Sequence, residues 1–381
     1  MKKLKKNKVT IICFGFSKKS IRNQPWYTTD KICEKLYKKG FKINLITDTR
    51  KYPKKKYNIV YVEKLFNFNS PTYSLKNILK KLNPSFTIII TGSHEILFPG
   101  RFSSLNNVIL AVANNRFYIK ELKRISFLNF IKERELLLKP ILSSLIPGFL
   151  IKIGFYLSGA INMIFFSREA QNRYRKIGLP SGILIQPFFE TKKNISPNIR
   201  INYKKINLCY FGPPLFLRGI DIVLNVFEKI ASEHPSARLK LLIRNNKENS
   251  LKRNMHWISK EINNHKFKNN IIFDKTYYSK SQFDKEIKKN SINILPFKIT
   301  VSDAPLVIID AIKSGVPLFT LDTPGVSENI ISSSGFIAKD EEEMTFKIKK
   351  FIKNKRFVKK NNKKLKYLES NIKNLEKIIE K

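Results

Sequence analysis

The chain has 381 residues, of which 42% are hydrophobic, and it carries a formal net charge of +44. This length suits two domains that each bury a core, and the hydrophobic content excludes an intrinsically disordered chain. The three cysteines, Cys13, Cys33 and Cys209, have neither metal-ligand spacing nor the even number of a disulfide framework. The composition therefore excludes a disulfide-stapled fold and indicates a reducing compartment.

The positive charge indicates an anionic partner, and its distribution favours a membrane over a nucleic acid. Lysines are scattered over every segment instead of forming one stripe, which disfavours nucleic-acid recognition. A compositional bias toward lysine accounts for part of the charge, but an anionic lipid surface would still attract each nearby lysine by about 1 kcal/mol. The basic start leads into an apolar run, 9–16, that is too short for a secretory signal. We therefore expect a cytoplasmic protein that can contact an anionic membrane surface.

The first half of the chain alternates between predicted strands and helices. The predicted strands lie at 9–16, 42–47, 57–62, 86–91, 107–113, 162–166 and 182–187, and the predicted helices at 28–39, 74–82 and from 168 to about 178. Alternation of this kind predicts a parallel sheet with helices on its faces. A polar stretch at 191–200 predicts a linker, which gives an N-terminal domain over residues 1–195.

Residues 128–167 are strongly apolar and admit two interpretations. Lys139, Pro140, Pro147 and Lys152 interrupt the region, so a spanning helix of about 20 residues does not fit. One interpretation is a pair of core helices in the first domain. The other is a surface that contacts a membrane or a lipid-linked acceptor, with the lysines at its edges.

The second half repeats the alternation. Strands are predicted at 206–211, 238–243, 270–273, 292–297 and 316–319, and helices at 221–233, at 281–289 and from 305. This pattern predicts a second doubly wound α/β domain over residues 196–355. Residues 356–381 are rich in lysine with spaced apolar positions, which predicts a helical C-terminal segment.

The stretch 302–330 places one acid, Asp310, in an otherwise apolar helix. Pro305 suits the first turn, and Ser302 or Asp303 could cap the helix. A helix that is apolar on nearly every face is packed inside a protein, so Asp310 should be at least half buried. A buried carboxylate costs several kcal/mol, roughly, unless donors satisfy it. The hydroxyls of a sugar or ribose would serve, and so would a lysine or a backbone amide in a purely structural βαβ unit.

A second motif, residues 210–219, lies between a predicted strand and a predicted helix. Gly212 allows a ligand or the opposing domain to approach the backbone, and Arg218 supplies a permanent cation for phosphate oxygens. Both residues would stand at the carboxyl edge of the sheet, where open α/β sheets bind ligands. Taken alone, the motif is more typical of a structural turn.

Together the two motifs resemble those of the GT-B glycosyltransferases, in particular the retaining family 4, also called group 1 glycosyl transferases. Members of that family pair a glycine after the first strand of the second domain with a basic residue and glycine, and then carry an E-x7-E segment that leads into E-A-x-x-x-G-x-P. The matching residues are Gly212, Arg218, Gly219, Asp310, Ala311, Gly315 and Pro317. The resemblance spans nearly the whole chain.

The resemblance implies two Rossmann-like domains that face a cleft and a C-terminal helix that crosses back to the first domain. It implies that the second domain holds a nucleotide-sugar donor and the first a glycan or lipid-linked glycan acceptor. It gives Arg218 a place at the leaving diphosphate, Asp310 at the ribose hydroxyls and His94 at the acceptor or leaving group. His94 fits a surface-loop histidine equally well. The implied donor site comprises Gly212, Arg218, Gly219, Ser302, Asp303, Ala304, Pro305, Leu306 and Asp310.

The chain departs from the family pattern in three places. Ser302, with Asp303 beside it, stands where the family has its first glutamate, and Pro213 stands where it has an arginine on the diphosphate. Asn114 and Asn115 follow the strand after which many members carry a histidine. These departures leave open an alternative function, a non-catalytic GT-B scaffold or binding subunit of a glycan-assembly complex.

The implied reaction is a front-face transfer with retention, in which the leaving diphosphate helps to remove the acceptor proton. Arg218, the N-terminus of the helix at 305 and, by topology, Arg244 would stabilise the growing negative charge. The sequence has no Asp-x-Asp pair, no HExxH motif and no Walker loop. We therefore expect a hexosyltransferase that uses neither a metal nor another cofactor.

Overall fold

The structure is a computed structural model that describes residues 7–68, 70–105, 107–185, 206–243, 249–300, 303, 305–330, 335–354 and 367–380. All structural statements below concern those residues. The predicted linker at 191–200, the predicted boundary near residue 195, and Ser302, Ala304 and Arg244 lie outside them.

The first domain is built on a parallel sheet of seven strands in the spatial order β3-β2-β1-β4-β5-β6-β7. The strands are β1 Lys8–Ile12, β2 Lys42–Thr47, β3 Asn58–Tyr61, β4 Phe86–Thr91, β5 Val108–Val112, β6 Ala160–Phe165 and β7 Ile183–Leu184. Successive side chains of a strand point to opposite faces, and in β1 Val9 and Ile11 enter one apolar cluster while Ile12 enters another. Both faces of the sheet are therefore covered.

Helices cover the two faces of this sheet. They are α1 Trp26–Lys38, α2 Tyr73–Leu82, α3 Ile119–Leu122, α4 Phe127–Lys132, α5 Arg134–Leu145, α6 Gly148–Leu157 and α7 Arg168–Lys176. Side-chain caps fix three of these helix starts: the hydroxyls of Thr72, Ser126 and Ser167 accept the N–H groups of Leu75, Asn129 and Ala170, respectively. The predicted alternation of strands and helices is confirmed for this domain, with ends that shift by a few residues.

The second domain contains a parallel sheet of six strands in the order β10-β9-β8-β11-β12-β13. The strands are β8 Asn207–Gly212, β9 Arg238–Ile243, β10 Ile271–Asp274, β11 Ile292–Ile294, β12 Leu318–Leu321 and β13 Gly335–Ala338. The remaining helices are α8 Ile220–Ala231, α9 Asn249–Asn264, α10 Lys280–Lys288, α11 Leu306–Ser314, α12 Ser327–Ile330, α13 Glu341–Asn354 and α14 Tyr367–Glu380. Two doubly wound domains, as predicted, are thus confirmed.

The C-terminal helix α14 packs against the first domain. Leu375 and Ile379 are buried in the first domain's core. The carboxylate of Glu376 lies 2.6 Å from Nζ of Lys39, and the side-chain amide of Asn7 donates to the carbonyl oxygen of Ile379 at 2.6 Å. The last described helix therefore belongs structurally to the domain that begins the chain.

Helices α4, α5 and α6 make up the apolar region of the sequence. No single described helix is long and apolar enough to cross a bilayer, and α5 with α6 pass that test only as a pair bent by 89°. Ile151 and Phe155 of α6 are buried in the first domain's core, and Leu137 of α5 is buried against the second domain. Leu142 and Phe149, in contrast, are exposed. The core interpretation therefore holds for only one face of each helix.

Candidate active site

The loop that joins β8 to α8 brings three predicted donor residues together. Gly212 has a φ of +136° and Gly219 a φ of +71°, conformations that favour glycine. A Cβ atom on Gly219 would lie 2.1 Å from the carbonyl oxygen of Pro296, so only glycine fits there. Nη1 of Arg218 lies 3.1 Å from the position of a Cβ atom on Gly212, and Cζ of Arg218 is 5.1 Å from the centre of the Phe297 ring. Gly212, Arg218 and Gly219 therefore cluster at the carboxyl end of β8.

A carboxylate of the first domain accepts hydrogen bonds from main-chain N–H groups of this loop. The N–H groups of Phe216 and Leu217 donate to Glu133, between α4 and α5, at 2.7 and 2.9 Å. The side-chain amide of Asn254 donates to the same carboxylate at 2.8 Å. Glu133 is 4% exposed, and its burial raises its pKa although these hydrogen bonds oppose the increase. Glu133 and Asn254 are absent from the predicted site, because no sequence spacing relates either residue to the loop.

A buried cation lies against the same loop. The main-chain N–H of Lys298 donates to the carbonyl oxygen of Leu217 at 2.9 Å, and the Lys298 ammonium forms an ion pair with Asp221 in the first turn of α8. Asn129 of α4 donates to the same oxygen of Asp221 at 3.3 Å. The sequence predicts a second cation at Arg244, which lies outside the described residues. Lys298 follows β11 at the same sheet edge, so the argument from strand ends could have found it.

Helix α11 carries Asp310 and ends at Gly315, whose φ is +74°. Its N-cap is Pro305, without a side-chain hydrogen bond, so the predicted cap by Asp303 is wrong. The physical reason is that Asp303 is held by the other domain: its main-chain N–H donates to the carbonyl oxygen of Ala113 at 3.1 Å. Both of its carboxyl oxygens are buried, and no described donor reaches either of them with full hydrogen-bond geometry, although the nearby Ser167 hydroxyl lowers the pKa of Asp303.

Where β5 meets the second domain, Asp303 is hydrogen-bonded to Ala113, and Asn115 follows Ala113 by two residues; we call Asp303 and Asn115 the polar seam. Each is only 1% exposed, and neither polar atom of the Asn115 amide has a hydrogen-bond partner among the described residues. Burial raises the pKa of Asp303 well above its ordinary value, and the nearby charge of Glu328 adds to the increase. Buried polar groups without partners are uncommon in proteins because they lose their hydration. The seam is thus a place where a polar ligand would recover lost hydrogen bonds.

Asp310 is partly exposed and has a lysine partner. Its side chain is 19% exposed, and its Oδ1 lies 2.6 Å from Nζ of Lys280 in α10. Burial raises the pKa of Asp310, whereas the Lys280 charge lowers it. Lys280 also pairs with Asp284 at 2.8 Å. The structural alternative, an acid that meets a lysine, is therefore present, and the role of Asp310 toward ribose stays a prediction.

His94 lies at the edge of the first domain, in the 3-10 turn that follows β4. Its ring packs over Gly92, where a Cβ atom would lie 2.9 Å from Cε1 of His94 and 3.7 Å from Nδ2 of Asn114. His94 and Asn114 therefore meet where the neighbouring strands β4 and β5 end. Parallel strands end at one edge of a sheet, so His94 lies on the same edge as the contact between Ala113 and Asp303.

Comparison with known proteins adds to this picture. No protein-family model and no curated protein matches the sequence. Among solved structures, WaaG, a glycosyltransferase involved in lipopolysaccharide biosynthesis, matches with a TM-score of 0.59 at 12% identity over 96% of this chain and 99% of its own. A glycosyltransferase from Rickettsia africae ESF-5 gives a TM-score of 0.64 at 12% identity over 98% of both chains. The chain has the GT-B fold.

A further GT-B structure, Anabaena Alr3699/HepE, was solved in complex with UDP and matches with a TM-score of 0.60 at 10% identity over 93% of this chain and 92% of its own. Identities this low establish the fold alone. In this GT-B chain, the loop after β8 and the start of α11 belong to the second domain. His94 and Asn115 belong to the first domain.

Proposed function

We propose that this GT-B chain is a retaining glycosyltransferase that moves a hexose from a nucleotide-diphosphate sugar to a lipid-linked or surface-polysaccharide glycan. The observation that carries the proposal is the cluster of Gly212, Arg218 and Gly219 at the end of β8. Glycines with positive φ let a ligand approach the backbone, and the arginine can form paired hydrogen bonds with phosphate oxygens. The UDP bound to HepE, which shares the fold, supports a nucleoside diphosphate as the ligand.

Helix α11 holds the donor from its other side in this proposal. The N–H of Leu306, just after Pro305, points out of the helix start, where the helix dipole favours a phosphate group. Asp310 lies in the next turn and accepts the ribose hydroxyls in place of the Lys280 ammonium. This exchange keeps the carboxylate satisfied, because one set of donors replaces another. Ser302, Asp303 and Ala304 complete the proposed donor site as the resemblance implies.

The transfer step places negative charge on the leaving diphosphate. The bond between the anomeric carbon and the phosphate oxygen breaks, the acceptor oxygen bonds to the same face of the sugar, and the diphosphate takes the acceptor proton. Arg218 and Lys298 supply positive charge for the leaving group, so the proposed reaction requires no metal. We propose that His94 contacts the acceptor or the leaving group from the first-domain side.

A second candidate function, a non-catalytic binding subunit, is favoured by a different observation. Glu133 accepts hydrogen bonds from the main-chain N–H groups of Phe216 and Leu217. The main-chain N–H of Asp303 donates a hydrogen bond to Ala113 of the first domain. In both cases, hydrogen-bonding groups of the second domain that a donor could use are already bonded to the first domain. Such a subunit would bind a nucleotide sugar or its product without turnover.

We also propose a cytoplasmic location at the membrane face. The three cysteines are buried and free, and burial raises the pKa of Cys13 to about 12. Buried thiols of this kind need no oxidising compartment. The net charge of +44 favours contact with anionic lipid.

Donor binding followed by turnover tests the proposed function. The full chain is titrated by calorimetry with UDP, GDP and ADP and with their hexose conjugates, and diphosphate release is then measured with glycan acceptors extracted from membranes. We expect one nucleotide to bind and raise the melting temperature, because it binds only the folded chain, and its sugar to be consumed. Binding without release favours the scaffold, whereas no binding by any nucleotide contradicts both candidates.

A further inference from the structure

We infer that the outward faces of α4, α5 and α6 form a docking surface for an anionic lipid bilayer, on which the chain rests without crossing it. Thirteen of the nineteen large hydrophobic side chains that are exposed in the described residues lie between 119 and 161. Concentrations of exposed apolar side chains mark sites of contact with a partner. We call this surface the lipid face and define it by Phe127, Leu138, Leu142, Phe149, Ile153 and Leu157.

The spacing of these residues produces a stripe on each helix. Leu138 and Leu142 are four residues apart on α5, and Phe149, Ile153 and Leu157 follow the same interval on α6. Residues four apart lie on one side of a helix. Phe149 is 61% exposed and Leu157 is 62% exposed, although solvent contact of such side chains is unfavourable. The outward side of each helix therefore carries an apolar stripe in addition to the side that packs in the core.

The fold places the two stripes next to each other. Both α5 and α6 pack against the 3-10 turn Ser93–Leu97. The approach of α6 is close, because a Cβ atom on Gly154 would lie 2.4 Å from the carbonyl oxygen of Ile96. Both stripes therefore lie beside the same turn, and buried residues such as Ile151 and Phe155 hold α6 on the first domain. The position of the lipid face is fixed by the core and not by its exposed side chains.

Charge identifies the partner as anionic lipid. Among the side chains between 119 and 161 that the structure describes, the exposed charged ones comprise five cations and one acid: Lys120, Lys123, Arg124, Arg134, Lys152 and Glu135. Of these, Arg124 also donates to the carbonyl oxygen of Asp322. A second copy of the chain would bring the same cations against this face, and the net charge of +44 on each copy would oppose pairing. An anionic bilayer accepts both the apolar stripes and the surrounding cations.

The lipid face lies beside the cleft. Helix α5 begins next to Glu133, whose carboxylate accepts the N–H groups of Phe216 and Leu217 in the loop that carries Arg218. If the proposed function holds, an acceptor on a lipid carrier would reach the cleft from the bilayer on which the chain rests. The lipid contact itself does not depend on transferase activity, because it follows from exposed side chains and charge.

Co-sedimentation of the full chain with lipid vesicles tests the inference. Vesicles of phosphatidylcholine alone are compared with vesicles that also contain phosphatidylglycerol, at low and at high salt. We expect strong binding to the anionic vesicles, weakened by salt, and weak binding to the neutral ones. The triple variant Leu142→Ser, Phe149→Ser, Leu157→Ser should bind the anionic vesicles at least about tenfold more weakly.

The matched control replaces two hydrophobic residues that are as exposed but lie elsewhere, Tyr73→Ser and Phe346→Ser. This control should bind vesicles as the wild type does. An unchanged melting temperature in both variants shows that the fold is kept. Wild-type binding by the triple variant, or no vesicle binding by the wild type, would overturn the inference. A wild-type dimer that the triple variant loses would assign the face to a second copy instead. Nucleotide binding, measured separately, tests the proposed function and is expected to be equal in all three proteins.

Discussion

The N–H of Leu217 donates a buried hydrogen bond of 2.9 Å to the carboxylate of Glu133, where the two domains contact each other. Leu217 immediately precedes Arg218, so the position of the proposed diphosphate-binding arginine depends on a side chain of the other domain. Lys132 strengthens the contact, because its Nζ lies 4.5 Å from the centre of the Phe216 ring and 4.7 Å from that of Trp257. Domain arrangement and the shape of this loop are therefore coupled.

Replacement of Glu133 tests that coupling. Glu133→Gln puts an amide NH2 group opposite one of the two N–H groups of Phe216 and Leu217, which leaves a buried donor without an acceptor. We expect a loss of about 1–3 kcal/mol in the free energy of unfolding, measured with urea. Glu135→Gln, two residues further and exposed, is the matched control and should change stability by less than about 0.5 kcal/mol. Equal stability of the two variants would contradict the coupling.

The loop also depends on a glycine. Gly219→Ala adds a Cβ atom 2.1 Å from the carbonyl oxygen of Pro296, at a φ of +71°. Gly159→Ala is a matched control, since its φ is +69° and nothing lies within 4 Å of the added atom. The control should lose about 1 kcal/mol from backbone strain alone. Gly219→Ala should lose clearly more stability, because the loop must move to make room for the added atom. Thermal melting measures the difference between the two variants. Similar losses in both variants would show that the loop has room to adjust.

The buried acid of the seam predicts a pH dependence. Burial raises the pKa of Asp303, so ionisation of its carboxyl group opposes folding. The contribution of Asp303 to the free energy of unfolding is therefore largest below the ordinary pKa of about 3.9 and falls as the pH rises through the raised pKa. Asp303→Asn removes this ionisation. Urea unfolding at several pH values gives the free energy of unfolding of the variant and of the wild type. The variant should gain stability relative to the wild type as the pH rises from the ordinary pKa of Asp303 to the raised one. A difference that stays constant with pH would mean that Asp303 does not titrate there.

Asp310 has either a ligand role or a structural one, and two variants separate them. Asp310→Ala should weaken binding of the nucleotide by about tenfold or more, because charged hydrogen bonds to the ribose are lost. Lys280→Ala removes the competing partner of Asp310 and should leave nucleotide affinity unchanged or higher. Calorimetric titration measures both. Asp310→Ala could instead bind the nucleotide with wild-type affinity and melt at a lower temperature. Asp310 would then serve only to form the ion pair with Lys280.

The sequence predicts what local patterns determine. The periodicity of apolar residues and the local composition predict most strands and helices. The single acid in an apolar helix indicates that Asp310 is largely buried. Gly212, Arg218 and Gly219 are found from the sequence because a strand end, a glycine pair and a cation stand close together along the chain. Each of these signals lies within about a dozen residues, so no tertiary information is needed.

The remaining features depend on contacts between distant parts of the chain. Glu133 and Leu217 are 84 residues apart, and no local pattern relates them. Helix α9 is absent from the predicted elements because its apolar stripe, with Ile258 and Ile262, is sparse among lysines and asparagines. The outward face of α6 could not be predicted, because a helix that is apolar on every side does not reveal which side meets the core. The sequence predicts Asp303 at a helix start, whereas a main-chain hydrogen bond to Ala113 holds it in the seam.

The release of nucleoside diphosphate from nucleotide sugars by the wild type, Arg218→Lys and Arg218→Ala tests the central claim most directly. The account predicts that the wild type releases the diphosphate of one donor when acceptor is present. It predicts a rate lower by about 10²–10³ in Arg218→Ala at an unchanged melting temperature, with partial recovery in Arg218→Lys, because the cation stabilises the leaving group. Release at the wild-type rate by Arg218→Ala would contradict the account, as would no release by the wild type from any donor.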